Sequence, residues 1–211
     1  MNTIPDFIAF LRNPVLEKDP NQSFFHKIIV FLILLMSCFL ISFFLSIIIQ
    51  IIFKAGLIEN DYHAFDNLKE LPGYQVLLMA AVIAPILEEM IFRAPLALFK
   101  SPLTLYIKPI PFSDWKIEFP TIQIRFLENS KAFKIAFYFF ALAFGFIHLS
   151  NYEIDSQILL FSPILVAPQL VIGVIFGFVR VRLGLPWAIL MHAAYNGILV
   201  SLFLLAKDAI Q

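Results

Sequence analysis

Five long apolar runs organise the chain. The first, 28–53, carries no charged residue, and Gln50 is its most polar member. A helix rises 1.5 Å per residue, so about 20 mostly apolar residues cross the hydrocarbon of a bilayer. The run therefore predicts a membrane span. Four more runs read the same way: about 75–98, 132–150, 157–180 and 186–206. The expected fold is all-α, a polytopic helical bundle with about five transmembrane helices. Residues 1–27 form an N-terminal cytoplasmic segment, and 28–206 form a single transmembrane domain. A polar insert, 100–131, separates the second and third spans. Its WKIEFPTIQIRF alternates apolar and polar residues around Pro120, which predicts a small surface β-hairpin.

Composition agrees with the pattern. Of 211 residues, 61% are hydrophobic, more than a soluble domain carries. Fifteen basic residues balance fifteen acidic ones, so the charge implies no polyanionic partner and no nucleic acid. The single cysteine, Cys38, lies in the first span and excludes an intramolecular disulfide framework. The first apolar run is too long for the core of a cleavable signal peptide and is expected to be an uncleaved anchor. Lys and Arg distribution orients the chain. With the N-terminus inside, the cytoplasmic side collects eleven basic residues: Arg12, Lys18, Lys27, Lys100, Lys108, Lys116, Arg125, Lys131, Lys134, Arg180 and Arg182. The outer side collects three, Lys54, Lys69 and Lys207. The expected location is a bacterial cytoplasmic membrane.

Within the second span, APILEEMIFRAP (84–95) places Glu88, Glu89 and Arg93 in lipid. A central charge costs about 2.5–3.5 kcal/mol on insertion scales, so these groups need partners or water. Glu89 and Arg93 are four apart with the acid first and can pair along one helix face. Glu88 is rotated about 100° away and has no such partner, which makes it a functional candidate. Pro85 frees a backbone carbonyl just before it. The third span ends in FGFIHLSN with His148, and the fifth holds LMHAAYNG with His192 and Asn196 one turn apart. Counted from the flanking cytoplasmic charges, Glu88 lies about 18 Å deep, His148 about 21 Å and His192 about 15 Å. Three helices thus bring an acid and two imidazoles to similar depth. Gly173 and Gly177, with Ala80, Ala81 and Ala84, offer small faces for close helix approach.

A carboxylate beside an imidazole can hold and deprotonate water, and a second His with an Asn amide can donate hydrogen bonds to an oxyanion. This set suits amide hydrolysis without a covalent intermediate. No serine lies in G-x-S-x-G, no H-E-x-x-H occurs, and no span contains Asp. Zinc held by Glu88, His148 and His192 is an alternative, because two His and a carboxylate form a known catalytic set. Gln169, Ser150 and Tyr195 are supporting candidates.

The three motifs resemble the CAAX-protease and bacteriocin-processing family of intramembrane endopeptidases, also called the Abi family. EEMIFR (88–93), FGFIH (144–148) and HAAYN (192–196) match its E-E-x-x-x-R, F-x-x-x-H and H-x-x-x-N in order, and the resemblance extends over about 78–200. It implies a catalytic core at about 75–206 that hydrolyses a membrane-associated or hydrophobic peptide. Glu88 and His148 would activate water, His192 and Asn196 would hold the oxyanion, and Glu89 with Arg93 would be a structural pair. No cofactor is expected. The chain departs from the family where Ala94–Pro95 follows Arg93 in place of the usual Gly. Two other readings stand beside this one. A proton-coupled transporter also uses an intramembrane Glu, though the chain lacks the repeats such folds show. A non-catalytic bacteriocin-immunity or scaffold protein would keep the motifs for packing.

Overall fold

The structure is a computed structural model and describes residues 3–58, 71–99, 103–104, 123–124 and 130–210. Helices α1 (Thr3–Arg12), α2 (Phe24–Lys54), α3 (Gly73–Leu78), α4 (Ala84–Phe92), α5 (Ser130–Ile147), α6 (Ser156–Leu165), α7 (Ala167–Arg182) and α8 (Leu185–Ile210) follow in order. Among the described residues, five stretches are long and apolar enough to cross a membrane: Phe24–Lys54, Gly73–Phe99, Lys131–Asn151, Ser156–Arg182 and Leu185–Lys207. These are the five expected spans, each extended by a few residues. In the insert, Leu103 pairs with Ile124 and Thr104 with Gln123 in an antiparallel contact. The rest of the expected hairpin around Pro120 lies outside the described residues.

Helix α7 is the hub, packed by α2, α5 and α8. Its residues are buried almost continuously from Ile172 to Val181. Two glycines make this possible. A Cβ on Gly173 would lie 2.9 Å from Phe144 Cδ1 and 3.3 Å from the Ala141 carbonyl, and one on Gly177 would lie 2.7 Å from Phe137 Cε2. Aromatic knobs of α5 thus seat directly on the α7 backbone. Helix α2 is apolar all round, so its sequence shows no preferred face. Its buried stripe, Val30, Leu34, Cys38 and Ser42, recurs every fourth residue, as one helix face requires. Beyond α7, Gly184 adopts φ +110, a backbone that side-chain-bearing residues resist. This turn folds α8 back along α7. Phe176 and His192 lie equally far from Gly184 in sequence and so come level with each other.

The second span is not a uniform helix. Pro85 has no amide hydrogen, and its ring crowds the carbonyl of the preceding turn. The chain relieves this with a widened π turn, Met79–Ile83, in which the Ala84 amide reaches back to the Met79 carbonyl. The Ala80 carbonyl loses its helical donor as a result, because the next amide position is the proline. After His148 the third span tightens into a short turn, His148–Asn151. Leu149 and Tyr152 then pack with Ile52, Ile58, Ile158 and Leu165, so this short span is closed by the ends of α2 and α6.

Residues 3–27 are more closely packed on the bundle than their mixed composition suggests. Phe10 of α1 inserts between Phe137 and Phe178, with ring centroids 5.0 and 5.1 Å away. Tyr138 donates its hydroxyl to the Leu11 carbonyl, and Lys134 Nζ donates to the Arg12 carbonyl at 3.0 Å. Arg182 ties the strap to the end of α7 through the Glu17 carbonyl at 2.9 Å and Asp6 Oδ1 at 3.0 Å.

Candidate functional site

The acidic pair of α4 meets the histidine of α8 inside the bundle. Glu89 is fully buried, Arg93 is 1% exposed and His192 is 3% exposed. His192 Nδ1 donates to Glu89 Oε1 at 3.0 Å. On the other side of the ring, Nε2 lies 3.7 Å from Glu88 Oε2, beyond hydrogen-bond reach. The imidazole therefore stands between the two consecutive carboxylates. Glu88 is the wetter of the two, with its side chain 28% exposed, yet Oε2 is itself buried and finds no hydrogen-bond donor among the described residues.

Arg93 holds the inner carboxylate. Its NH1 lies 3.3 Å from Glu89 Oε1, an ion pair by distance that is too poorly aligned to satisfy NH1 as a hydrogen bond. NH2 donates to the Gly173 carbonyl at 3.3 Å, a carbonyl that the missing side chain of Gly173 helps expose. The guanidinium also lies flat over Phe144, with Cζ 3.9 Å from the ring centroid, where the ring face attracts a cation. Arg180 Nε donates to the Arg93 main-chain carbonyl at 3.3 Å.

Phe144 connects the two histidines. Its ring lies edge-on to His148 at 5.0 Å and to His192 at 5.7 Å, and Phe176 covers the other side of His192 at 4.8 Å. His148 Nδ1 bonds the Phe144 carbonyl at 2.8 Å. A carbonyl only accepts, so Nδ1 carries the hydrogen and neutral His148 presents Nε2 as a base. Among the described residues no direct hydrogen bond joins His148 to Glu88.

Asn196 donates Nδ2 to the Ala80 carbonyl at 3.0 Å. That carbonyl is the one orphaned by the π turn, so Asn196 latches α8 to the distorted segment just before the glutamates. The contact also fixes the amide orientation and uses one of its two N–H groups, leaving the other free.

The sequence reading grouped Glu88, His148, His192 and Asn196 and set Glu89 with Arg93 as a separate pair. The structure gathers Glu88, Glu89, Arg93 and His192, sets His148 against Phe144 beside them and ties Asn196 to the Ala80 carbonyl, and it adds a contact the sequence did not give: Glu89 bonds His192 as well as facing Arg93. Phe144, Phe176 and the Gly173 carbonyl were also missed as parts of the site. Phe144 was visible as the first letter of F-x-x-x-H, but an aromatic in an apolar span carries no signal of its own. Of the supporting candidates, Tyr195 stacks on Phe39 at 4.9 Å, and Ser150 is exposed and donates to the Ile147 carbonyl at 2.9 Å. Among the described residues, no three His, Cys, Asp or Glu side chains converge as the shell of a metal ion.

A family model described as Type II CAAX prenyl endopeptidase Rce1-like matches residues 71–198, the stretch from α3 into α8 that contains every residue of this cluster. No curated protein and no solved structure matches the chain. The match covers more than half of the chain and agrees with the three motifs and the membrane-length helices that carry them. The protein is an integral membrane member of the Rce1-like type II CAAX prenyl endopeptidase family, and intramembrane endopeptidase activity follows from that membership.

Proposed function

We propose that the protein cleaves a hydrophobic or membrane-associated peptide with a water activated by Glu88 and His148, without a metal ion. The observation that carries this reading is the placement of His192 between two carboxylates, 3.0 Å from Glu89 and 3.7 Å from Glu88. Glu88 offers a buried carboxylate oxygen without a donor, and His148, set against Phe144 beside it, offers an unprotonated Nε2. A water between them gives one proton to Glu88 as its oxygen attacks the peptide carbonyl. The oxyanion that forms takes hydrogen bonds from His192 Nε2–H and the second N–H of Asn196. Glu89 balances the charge of the doubly protonated His192 ring through Nδ1. The C–N bond then breaks, and Glu88 returns its proton to the leaving amine.

The roles of Glu89 and Asn196 differ from a simple reading of the motifs. Glu89 orients the oxyanion donor, and Asn196 also holds the π turn that presents Glu88. The eleven-to-three bias of basic residues supports an N-terminus inside and a cavity reached from the cytoplasm.

Purified protein incubated with an internally quenched library of hydrophobic peptides tests the activity. Cleavage that persists in excess chelator is the expected result. Loss on chelation with rescue by zinc would overturn the metal-free scheme, and solute transport without cleavage would move the protein to the carrier class. A second test separates packing from site geometry. Gly173→Ala and Gly177→Ala both overpack α7 against α5, at a cost of about 1–3 kcal/mol each. Of the two, only the methyl at position 173 would meet Phe144 and come within 3.5 Å of Arg93 NH2. Gly173→Ala is therefore expected to lower cleavage per folded molecule, measured beside thermal unfolding, while Gly177→Ala leaves it nearly unchanged.

A further inference from the structure

Gln169 is a polar side chain near the middle of the span Ser156–Arg182. It lies in the first turn of α7, just past the break at Val166. Its Oε1 is buried and finds no hydrogen-bond donor among the described residues. An amide held in an apolar medium without a partner is costly, and in a bilayer lipid supplies no substitute.

The packing around α7 locates this amide. Phe144 and Gly173 form one layer, with Gly173 against Phe144 and Arg93, and Phe176, about one turn away on α7, lies against His192. One helical turn beyond Phe144 and Gly173, away from Phe176, come His148 on α5 and Gln169 on α7. The direction is reversed in sequence on α7 because it runs antiparallel to α5 and α8. The face is also determined. Leu170 points to α5, where it meets Gly145, and Phe176 points to α8, where it meets His192. At 100° per residue, Gln169 falls about 20° from Phe176 and about 100° from Leu170, on the side of α7 that looks toward α8.

We propose that Gln169 binds the backbone of the peptide substrate, its carboxamide accepting the N–H and donating to the C=O of an extended residue next to the scissile bond. This rests on the proteolytic reading above. A primary amide presents one acceptor and donors side by side, which matches the peptide group and is indifferent to side-chain identity. Gln169 is a positioning residue here and takes no part in proton transfer.

The test replaces the amide with an apolar chain of similar length, Gln169→Met. Binding of a fluorescein-labelled hydrophobic peptide is followed by anisotropy in the Glu88→Gln background, where turnover does not interfere. The expected result is about tenfold weaker binding, with a matching rise in KM and kcat within twofold in the Glu88 protein. The peptide-free variant should unfold at the same temperature as wild type or higher, since the buried amide oxygen it loses has no donor among the described residues. Equal affinity of Glu88→Gln and Glu88→Gln/Gln169→Met would overturn the proposal. A fall in unfolding temperature would also overturn it, because Gln169 would then be structural, as would a fall in kcat at constant KM. Absence of any cleavage by wild type counts against proteolysis and is read separately from the binding arm.

Discussion

Glu88→Gln lowers peptide cleavage by about 10²–10⁴-fold, the range expected for loss of a general base. Its unfolding temperature stays close to that of wild type. Glutamine keeps the shape of the side chain and its acceptor oxygen, so it still fits the half-exposed position. What it loses is the capacity to take a proton from water and return it to the leaving amine. The measurement is steady-state cleavage of one selected quenched peptide by both proteins in the same detergent, beside thermal unfolding. Cleavage within a few-fold of wild type would remove Glu88 from the chemistry. A collapse in unfolding temperature would show that Glu88 serves the fold.

Glu89→Leu produces the largest loss of stability, about 3–5 kcal/mol, because it strands the buried Arg93 guanidinium without its counter-charge. Replacing both partners, Glu89→Leu with Arg93→Met, recovers most of that loss, since an apolar pair of similar volume satisfies the same space. Activity does not recover with it. The double variant still lacks the acceptor for His192 Nδ1, and without that orienting carboxylate the imidazole is lost as an oxyanion donor, at a cost of about 10²–10³-fold. Thermal unfolding and peptide cleavage of the single and double variants separate the two roles. A double variant that regains both stability and cleavage would reduce Glu89 to a structural partner of Arg93.

Much of the architecture was written in the apolar pattern. A bilayer imposes one length on every span, so five runs of the right length predicted five membrane-length helices with ends a few residues off. The distortions were less legible. Pro85 announced a break, but whether a helix answers with a kink or a π turn depends on which neighbour donates to the freed carbonyl, here Asn196 from α8. The buried stripe of α2 was invisible because lipid-facing and protein-facing positions are equally apolar. The N-terminal strap was hidden for the opposite reason: its few aromatics bind through Phe137 and Phe178, contacts that local sequence cannot name.

The candidate site was legible as residues and illegible as pairs. Spacing along one helix shows Glu89 facing Arg93, and depth shows that His192 comes level with the acids. Neither reveals that Glu89 serves both, because the rotation of α8 about its axis is set by the turn at Gly184 and by packing of Phe176 on His192. Gln169 was noticed as polar, but its missing partner emerges only when every neighbouring donor is placed.

The most direct measurement is an experimental structure with a phosphinic peptide analogue, whose two oxygens mimic the attacking water and the oxyanion. The account predicts one oxygen within hydrogen-bond reach of both Glu88 and His148 Nε2, and the other against His192 Nε2 and Asn196 Nδ2. An analogue bound with its phosphinate away from Glu88, or with His148 turned outward to the acyl chains, would contradict it.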